Sequence, residues 1–304
     1  MAEPAVTHVP VLAEPVVDWL SDASCRLLVD CTVGLAGHAG LLLEAMPDAQ
    51  LIGLDRDSSN LAIARHRLAT FGERVRLVHA SFSDLGSVLD DMGVIGVDRI
   101  LADLGLSSNQ IADASRGFSF DVDGPLDMRL DPSQSTTAAD LVNGLPEQPL
   151  ADLLYIQSQE RHSRRISRRI CEARRRGRLN STVELARLVE SAVGQRAASR
   201  SRRIHPATRT FMALRMAVNR ETEVLQHLLT QAADHLVSGG RIAMISFHSG
   251  EDRIVKQDFR GRFRQGAYRL LTRKPIVAGL DERRRNPRSR SAKLRVAERV
   301  GATA

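Results

Sequence analysis

The stretch Leu27–His38, LLVDCTVGLAGH, decides the fold. Three apolar residues run into Asp30, and the chain then turns through Gly34 and Gly37 into a helical pattern over Gly37–Met46. A buried strand followed by a glycine turn and a helix N-terminus leaves unpaired backbone N–H groups pointing out of the turn, a ready site for a nucleotide-like ligand. Asp55 follows at the end of a second apolar run, AQLIGLD. An acidic side chain at the tip of the second strand, roughly 20 residues past the glycine turn, is placed to accept hydrogen bonds from two ribose hydroxyls.

Working outward, further strands are predicted at Val75–Ala80, Val97–Asp103, Arg241–Ser246, Tyr268–Thr272 and Leu294–Val300. Helices are predicted at Asn60–Ala69, Leu85–Asp91 and Glu251–Arg260, with a lead-in segment at Val9–Leu20. Strands alternating with helices call for a doubly wound, mostly parallel α/β sheet whose ligands sit outside the carboxyl ends of the strands. Asp30, Asp55, Phe82 and Asp103 all fall at those ends.

More than a hundred residues separate the fourth strand from the fifth, where a crossover needs about a dozen. The excess predicts an inserted helical domain over residues 110–206, with 1–109 and 207–304 forming the sheet domain. The insert opens with a polar loop at Arg116–Asp131. It continues through helical patterns at Thr137–Asn143, Pro149–Ile156, Arg161–Arg176 and Thr182–Val193, the last with a start signal at Ser181 and Glu184. Beyond Pro206, Ala207–Leu236 reads as one long helix returning to strand five, and Gly239-Gly240 as a turn before that strand.

Charge is distributed unevenly. Residues 161–215 hold 16 Arg against 3 Glu, a net +13, and residues 260–299 hold 14 Lys and Arg against 3 acids, a net +11. The chain as a whole carries +7, so the remainder sums to −17. Two basic segments on an acidic body point to a directed binding face for a polyanion such as nucleic acid. No apolar run approaches the roughly 18 residues of a membrane span. The first residues lack a signal-peptide pattern. Cys25, Cys31 and Cys171 fit neither a disulfide framework nor zinc spacing, so a cytoplasmic setting and no metal are expected.

An acidic residue ending strand two serves NAD or S-adenosylmethionine, since both carry an adenosine ribose. Two features favour the methyl donor over an NAD-linked oxidoreductase. The turn Gly34-Leu-Ala-Gly37-His-Ala-Gly40 lacks a full G-x-G-x-x-G and would hold a pyrophosphate less closely. The Asp103-Leu-Gly-Leu end of strand four resembles the place where amino-methyltransferases grip their target nitrogen, aligning its lone pair with the methyl group. Phe82, Phe118, Phe120 and Phe247 are candidates for stacking on a base or adenine. His38 is placed either to cap the helix or to touch the cofactor. For the group that takes the amine proton, Asp103 ranks ahead of His248 and Asp127.

At the level of whole motifs the chain resembles the bacterial 16S rRNA cytosine-N4 methyltransferase family. The motifs are HVPVL from His8, Asp55-Arg-Asp, RGFSF from Arg116, DGPLDMR from Asp123, HPATRTF from His205, Ser246-Phe-His-Ser and NPRSRS from Asn286. The resemblance implies a class I methyltransferase domain with a helical insert, and methyl transfer from S-adenosylmethionine to N4 of a cytidine in the decoding region, at the P site, of the small ribosomal subunit. It implies cofactor contacts at Ala36, Gly37, His38, Asp55, Phe82, Asp103 and Gln110. RNA contacts are expected from the basic segments, at Arg174, Arg175, Arg176, Arg209, Arg288 and Arg290. The family leaves room for a homodimer. Departures from its pattern fall at Ala36, where a glycine is usual, at Ser158-Gln159, and at Gly250. The Ala36 change motivates an alternative reading as an RNA-binding assembly factor that has lost catalysis.

Overall fold

The computed structural model describes residues 9–194 and 205–301, so His8 lies outside the described residues. Contacts divide the chain into two compact units, residues 1–105 with 223–304, and residues 106–222.

The first unit is built on a seven-stranded sheet in the order β3-β2-β1-β4-β5-β7-β6. Its strands are β1 (Leu27–Asp30), β2 (Gln50–Asp55), β3 (Val75–His79), β4 (Val97–Asp103), β5 (Leu236–Ser246), β6 (Tyr268–Leu270) and β7 (Lys293–Arg299). The first five run parallel, and β7 is antiparallel to both β5 and β6. The period-2 alternation of strand side chains loads both faces. Leu28, Leu51, Leu101, Ala243, Ile245 and Val296 pack on one face against α1 (Ala13–Leu20), α2 (Gly37–Ala45) and α3 (Ser58–Arg67). Val29, Ile52, Leu54, Ile100, Ile242 and Met244 pack on the other against α4 (Leu85–Asp91), residues 225–233 and Val255 and Phe259. This is the doubly wound α/β arrangement expected from the sequence. The β1, β2 and β4 carboxyl ends lie side by side, with Asp30 opposite Gly53 and Leu101 in register.

The second unit is helical around its own core. It contains α5 (Ser108–Ala112), α6 (Ala138–Gly144), α7 (Glu147–Ser158), α8 (Ser163–Arg174), α9 (Thr182–Val193) and α10 (Thr208–Val218). Leu150, Leu154, Ile166, Ile170, Leu185, Val189, Phe211 and Leu214 fill the space between them. The α9 start carries the expected cap, with Ser181 accepting the Glu184 N–H at 3.1 Å. The Arg116–Asp131 loop is held by Arg116, whose guanidinium donates to the Arg129 and Leu130 carbonyls at 3.0 and 2.9 Å. Two glycines in this loop have no room for a side chain. A Cβ at Gly117 would lie 2.1 Å from the Pro125 carbonyl oxygen, and one at Gly124 would lie 2.0 Å from that of Ala114.

Two sequence expectations need correction. The predicted single helix Ala207–Leu236 is broken into α10 and α11 (Glu221–His235), and the unit boundary falls at Thr222/Glu223 rather than at 206/207. Asn219 causes the break. Its side chain takes the Leu130 N–H at 2.7 Å and donates to the Met128 and Arg215 carbonyls at 2.7 and 2.8 Å, tying the helix end to the loop. Arg220 then takes a left-handed φ of 50°. Gly239-Gly240, expected as a turn before strand five, instead lies inside β5. The register there jumps from Val97↔Leu236 to Arg99↔Arg241, so the glycines form an irregularity in a longer strand.

Candidate active site

The site in the first unit grows from the turn after β1. Gly34 takes φ 50°, and Ala36 takes φ 64° as the residue before α2. A left-handed alanine is uncommon, because its Cβ crowds the backbone there. The turn is nevertheless closed by Ala36 N–H to Val33 O at 2.7 Å, and α2 begins with no side-chain cap on its first N–H groups. Replacing Ala36 with glycine is expected to stabilise the fold by about 1 kcal/mol, because the left-handed conformation then costs nothing. The check is urea denaturation alongside calorimetric cofactor titration. A lower midpoint or a lost cofactor affinity would contradict this account of the turn.

Asp55, at the tip of β2, organises the turn. Its carboxylate accepts the Gly34 N–H at 2.9 Å, the Asp57 N–H at 2.8 Å and the Asn60 side-chain amide at 3.1 Å. Burial pushes its pKa up to about 6, against the pull of these donors. One carboxylate thus couples strand two to the glycine turn of strand one. Phe82 stands half-buried just past β3, against the core of the same face as Val78 and Ala80.

Strand four ends on the most constrained group. The Asp103 N–H donates to Thr32 Oγ1 at 2.6 Å, and the Thr32 N–H donates to Asp30 Oδ1 at 3.0 Å, which locks the β1 and β4 ends together. Asp103 Oδ1 is a buried acceptor with no hydrogen-bond partner among the described residues. Burying a carboxylate oxygen without a donor is costly, so such an atom marks a place where a ligand donor belongs. Burial pushes the Asp103 pKa up to about 7, Arg288 draws it down, and Glu251 raises it further. Asp30 is likewise pushed by burial to about 7.

His38, in the first turn of α2, is almost fully buried. Its Nε2 lies 2.8 Å from the Val11 carbonyl and its Nδ1 lies 3.7 Å from Asp103 Oδ2. A carbonyl can only accept, so Nε2 carries the proton and Nδ1 faces the carboxylate as an acceptor. Burial lowers the pKa of His38, which keeps the ring neutral. The Val11 segment is strapped down on either side. The Leu12 N–H donates to Glu282 at 2.7 Å, and Asn286 donates to the Val9 carbonyl at 3.0 Å. Phe247, past the end of β5, lies against Gly105, whose φ of 118° lets the chain leave β4 beneath the ring.

The other expected residues divide by what they touch. His248 caps α12 (Ser249–Arg264), its Nδ1 accepting the Gly250 and Glu251 N–H groups at 3.2 and 3.4 Å. That role, with Glu251 Oε1 3.1 Å from Nε2, makes it a helix cap. Arg288, expected on an RNA face, is half-buried and serves as a countercharge to Asp103, and burial lowers its own pKa. Arg290 is exposed.

In the second unit Asp127 is held by Arg129 at 2.7 and 2.8 Å, which keeps its pKa low and makes it a poor base. Gln110 is buried, and its Oε1 takes the Ser107 N–H at 3.0 Å in the capping of α5. Phe120 packs on Phe211 at 4.7 Å and His205 at 4.6 Å, and Phe118 lies under the Arg116 guanidinium at 5.8 Å. Arg174 donates to the Val142 carbonyl at 2.7 Å, whereas Arg175, Arg176 and Arg209 are exposed. Thr32 and Asn60, which complete the strand-end network of the first unit, leave little trace in the sequence. A Thr two residues past a strand-ending Asp, and an Asn five past the second, are the only signals they leave.

Residues 5–300 match the sequence profile of the MraW methylase family. The chain belongs to the MraW methylase family. Three curated relatives are each named ribosomal RNA small subunit methyltransferase H. That of Syntrophobacter fumaroxidans is 46% identical, over 99% of both chains. That of Cyanothece sp. is 47% identical over 99% of this chain and 97% of the relative. That of Sorangium cellulosum is 49% identical over 97% and 91%.

Membership in the MraW methylase family calls for S-adenosylmethionine, and the site can be tested against that molecule. The cofactor offers a sulfonium cation, a ribose diol and an amino-acid end. Against it stand three carboxylates at adjacent strand ends, an acceptor left without a donor, and a helix start with uncapped N–H groups. The residues fit.

Proposed function

We propose that this chain methylates 16S rRNA of the small ribosomal subunit, placing the methyl group of S-adenosylmethionine on N4 of a cytidine at the decoding P site. The observation that carries this reading is the buried, unpartnered Oδ1 of Asp103 at the end of β4. An exocyclic amine has the donor that this oxygen lacks.

S-adenosylmethionine supplies an activated methyl group on a positively charged sulfur. Ala36, Gly37, His38, Asp55 and Phe82 would hold it. Asp103 accepts a hydrogen bond from the target amine and fixes the direction of its lone pair, the main demand of a transfer whose donor is already activated. A carboxylate with a pKa of about 7 is also matched to taking the amine proton at neutral pH. The neutral His38 ring is fixed by its Nε2–H bond to the Val11 carbonyl and leaves Nδ1 as an acceptor near Asp103.

The second unit, with its Arg-rich helices, binds RNA while the target base is splayed out of the stack. Arg175, Arg176, Arg209 and Arg290 are exposed and available for phosphates. No helix among the described residues is long and apolar enough to cross a membrane. Ala36 adopts the left-handed backbone that a glycine would supply, so the turn offers no ground for reading the chain as a non-catalytic assembly factor.

The test is transfer of labelled methyl groups to small ribosomal subunits from a strain lacking this modification. Incorporation at a single decoding-region cytidine, mapped by mass spectrometry of nuclease fragments, is the expected result. Absence of label in cytidine would overturn the proposal.

A further inference from the structure

Three helix ends of the second unit meet at one corner. Helix α7 ends at Ser158, the chain turns through Gln159 in a left-handed conformation, and α8 starts at Ser163. Arg209, the second residue of α10, reaches the Gln159 carbonyl at 3.5 Å, which brings the start of α10 to the same turn. The only acidic residue of the turn is spent internally: Glu160 is buried and its carboxylate takes the His162 N–H at 2.9 Å.

Two kinds of side chain are left facing solvent here. Arg161, Arg164 and Arg165 are exposed and have no ion-pair or hydrogen-bond partner among the described residues. The next cations along α8 differ. Arg168 and Arg169 lie 3.5 and 3.4 Å from Glu147 and Glu172, and Arg174 is committed to the Val142 carbonyl. On the other side of the turn, Tyr155 and Ile156 are 59% and 72% exposed, at the end of a helix that buries Leu150, Ala151 and Leu154. Packing accounts for the buried residues and not for two large apolar side chains in water.

Unneutralised arginines at the start of one helix, with an exposed aromatic ring near the end of the helix before it, are what a single-stranded nucleic acid requires. The guanidinium groups track the phosphates, and the ring offers a face to any unpaired base. Arginine stays charged at every accessible pH, and the start of α8 adds its own partial positive charge.

We propose that this corner binds a single-stranded segment of RNA, with Tyr155 stacking on an unpaired base and Arg161, Arg164, Arg165 and Arg209 taking the flanking phosphates. The proposal rests on the reading that the substrate is RNA. It places the principal contact at the beginning of α8, about 18–20 Å along the helix from Arg175 and Arg176.

The experiment titrates the full-length protein with a labelled, mixed-sequence single-stranded oligoribonucleotide at several salt concentrations. Tyr155→Ala is expected to weaken binding at least about tenfold, the loss seen when a stacking ring is removed, while Tyr155→Phe retains affinity. The triple variant Arg161→Gln, Arg164→Gln, Arg165→Gln is expected to reduce the slope of log affinity against log salt by about 2, since each phosphate contact on a single strand contributes about 0.7. Arg175→Gln with Arg176→Gln, at the other end of α8, is expected to cost less in both quantities than the triple variant. Unchanged thermal melting and cofactor affinity establish that the variants fold.

An unchanged affinity and slope in the triple variant, with the loss appearing in the Arg175/Arg176 pair, would overturn the proposal. So would a change in sedimentation of Tyr155→Ala with RNA binding intact, which would make the corner an interface between copies of the chain. Failure of the parent protein to methylate small subunits, with the corner still binding the oligoribonucleotide as described, would count against the activity and not against the corner.

Discussion

Replacing Asp103 with asparagine is expected to lower the single-turnover rate of methyl transfer about 100- to 1,000-fold, the usual cost of removing one preorganised polar group at a reacting centre. The substitution keeps the size of the side chain but turns one acceptor into a donor. Oδ1, the buried oxygen with no partner, would become either a carbonyl that cannot take a proton or an NH₂ that opposes the incoming amine. The loss should fall mainly on kcat, with a smaller change in RNA affinity, because the second unit supplies much of the RNA surface.

The pH profile separates this role from a purely structural one. In the parent enzyme the rate should rise through the Asp103 pKa of about 7, because only the ionised carboxylate accepts the amine proton. The Asp103→Asn variant should lose that limb. Stability runs in the opposite direction. Asp30 and Asp103 have folded-state pKa values near 7, well above those of an unfolded carboxylate at about 4, so the cofactor-free protein binds more protons folded than unfolded between those values. Its stability is greatest below pH 4 as far as these groups are concerned and falls as pH rises toward 7. A rate that declines with pH over this range, or a variant that keeps the limb, would remove Asp103 from the proton path.

The second large effect is expected at Asp55. Asp55→Ala should weaken S-adenosylmethionine binding by at least about tenfold, through loss of a charge-assisted hydrogen bond to the ribose worth about 1.5–3 kcal/mol. It also deprives three donors of their acceptor, the backbone N–H groups of Gly34 and Asp57 and the Asn60 amide. The turn that presents the α2 N-terminus should loosen as well, so the melting temperature should fall even without cofactor. Asp55→Asn keeps part of the network and should lie between. Isothermal titration with the cofactor, or with its demethylated product, reads the first effect, and thermal denaturation reads the second. An unchanged affinity would mean that Asp55 serves only the turn.

The sheet was most legible at β1, β2 and the second half of β5, where a largely apolar run ends in a polar residue. β1, α4, β4 and α9 have the bounds that periodicity and capping residues suggest. The return helix failed for a local reason. Ala207–Leu236 is unbroken in helix propensity, and only the tertiary bonds of Asn219 to Met128 and Leu130 stop it. Gly239-Gly240 failed because a glycine pair marks a bulge as readily as a turn.

In the site, the carboxylates were legible from their place at strand ends. What each one touches was not. Arg288 sits in a basic run indistinguishable by composition from a solvated face, yet its charge is set against Asp103. Arg174 reads like its neighbours Arg175 and Arg176 and is instead tied to a helix-end carbonyl. Thr32, which holds the Asp103 backbone, is one hydroxyl in a turn and carries no periodic signal. Ala36 stood out as a departure from the family pattern. Only its φ of 64° shows that the alanine is bent to the conformation of the glycine it replaces.

The strap over His38 has a consequence for the order of events during synthesis. Strands β1 to β4 lie within residues 27–103 and can begin to pair while the ribosome is still translating the helical unit. Leu12 finds its partner Glu282 only after 270 further residues. At roughly 5–20 residues per second, that wait is roughly 15–55 s. Throughout that interval the nascent sheet exposes its glycine turn and carboxylate edge without the Val11–Leu12 segment held in place. The segment around Glu282 therefore acts as a timer, and the strap over His38 closes only after that segment has been made.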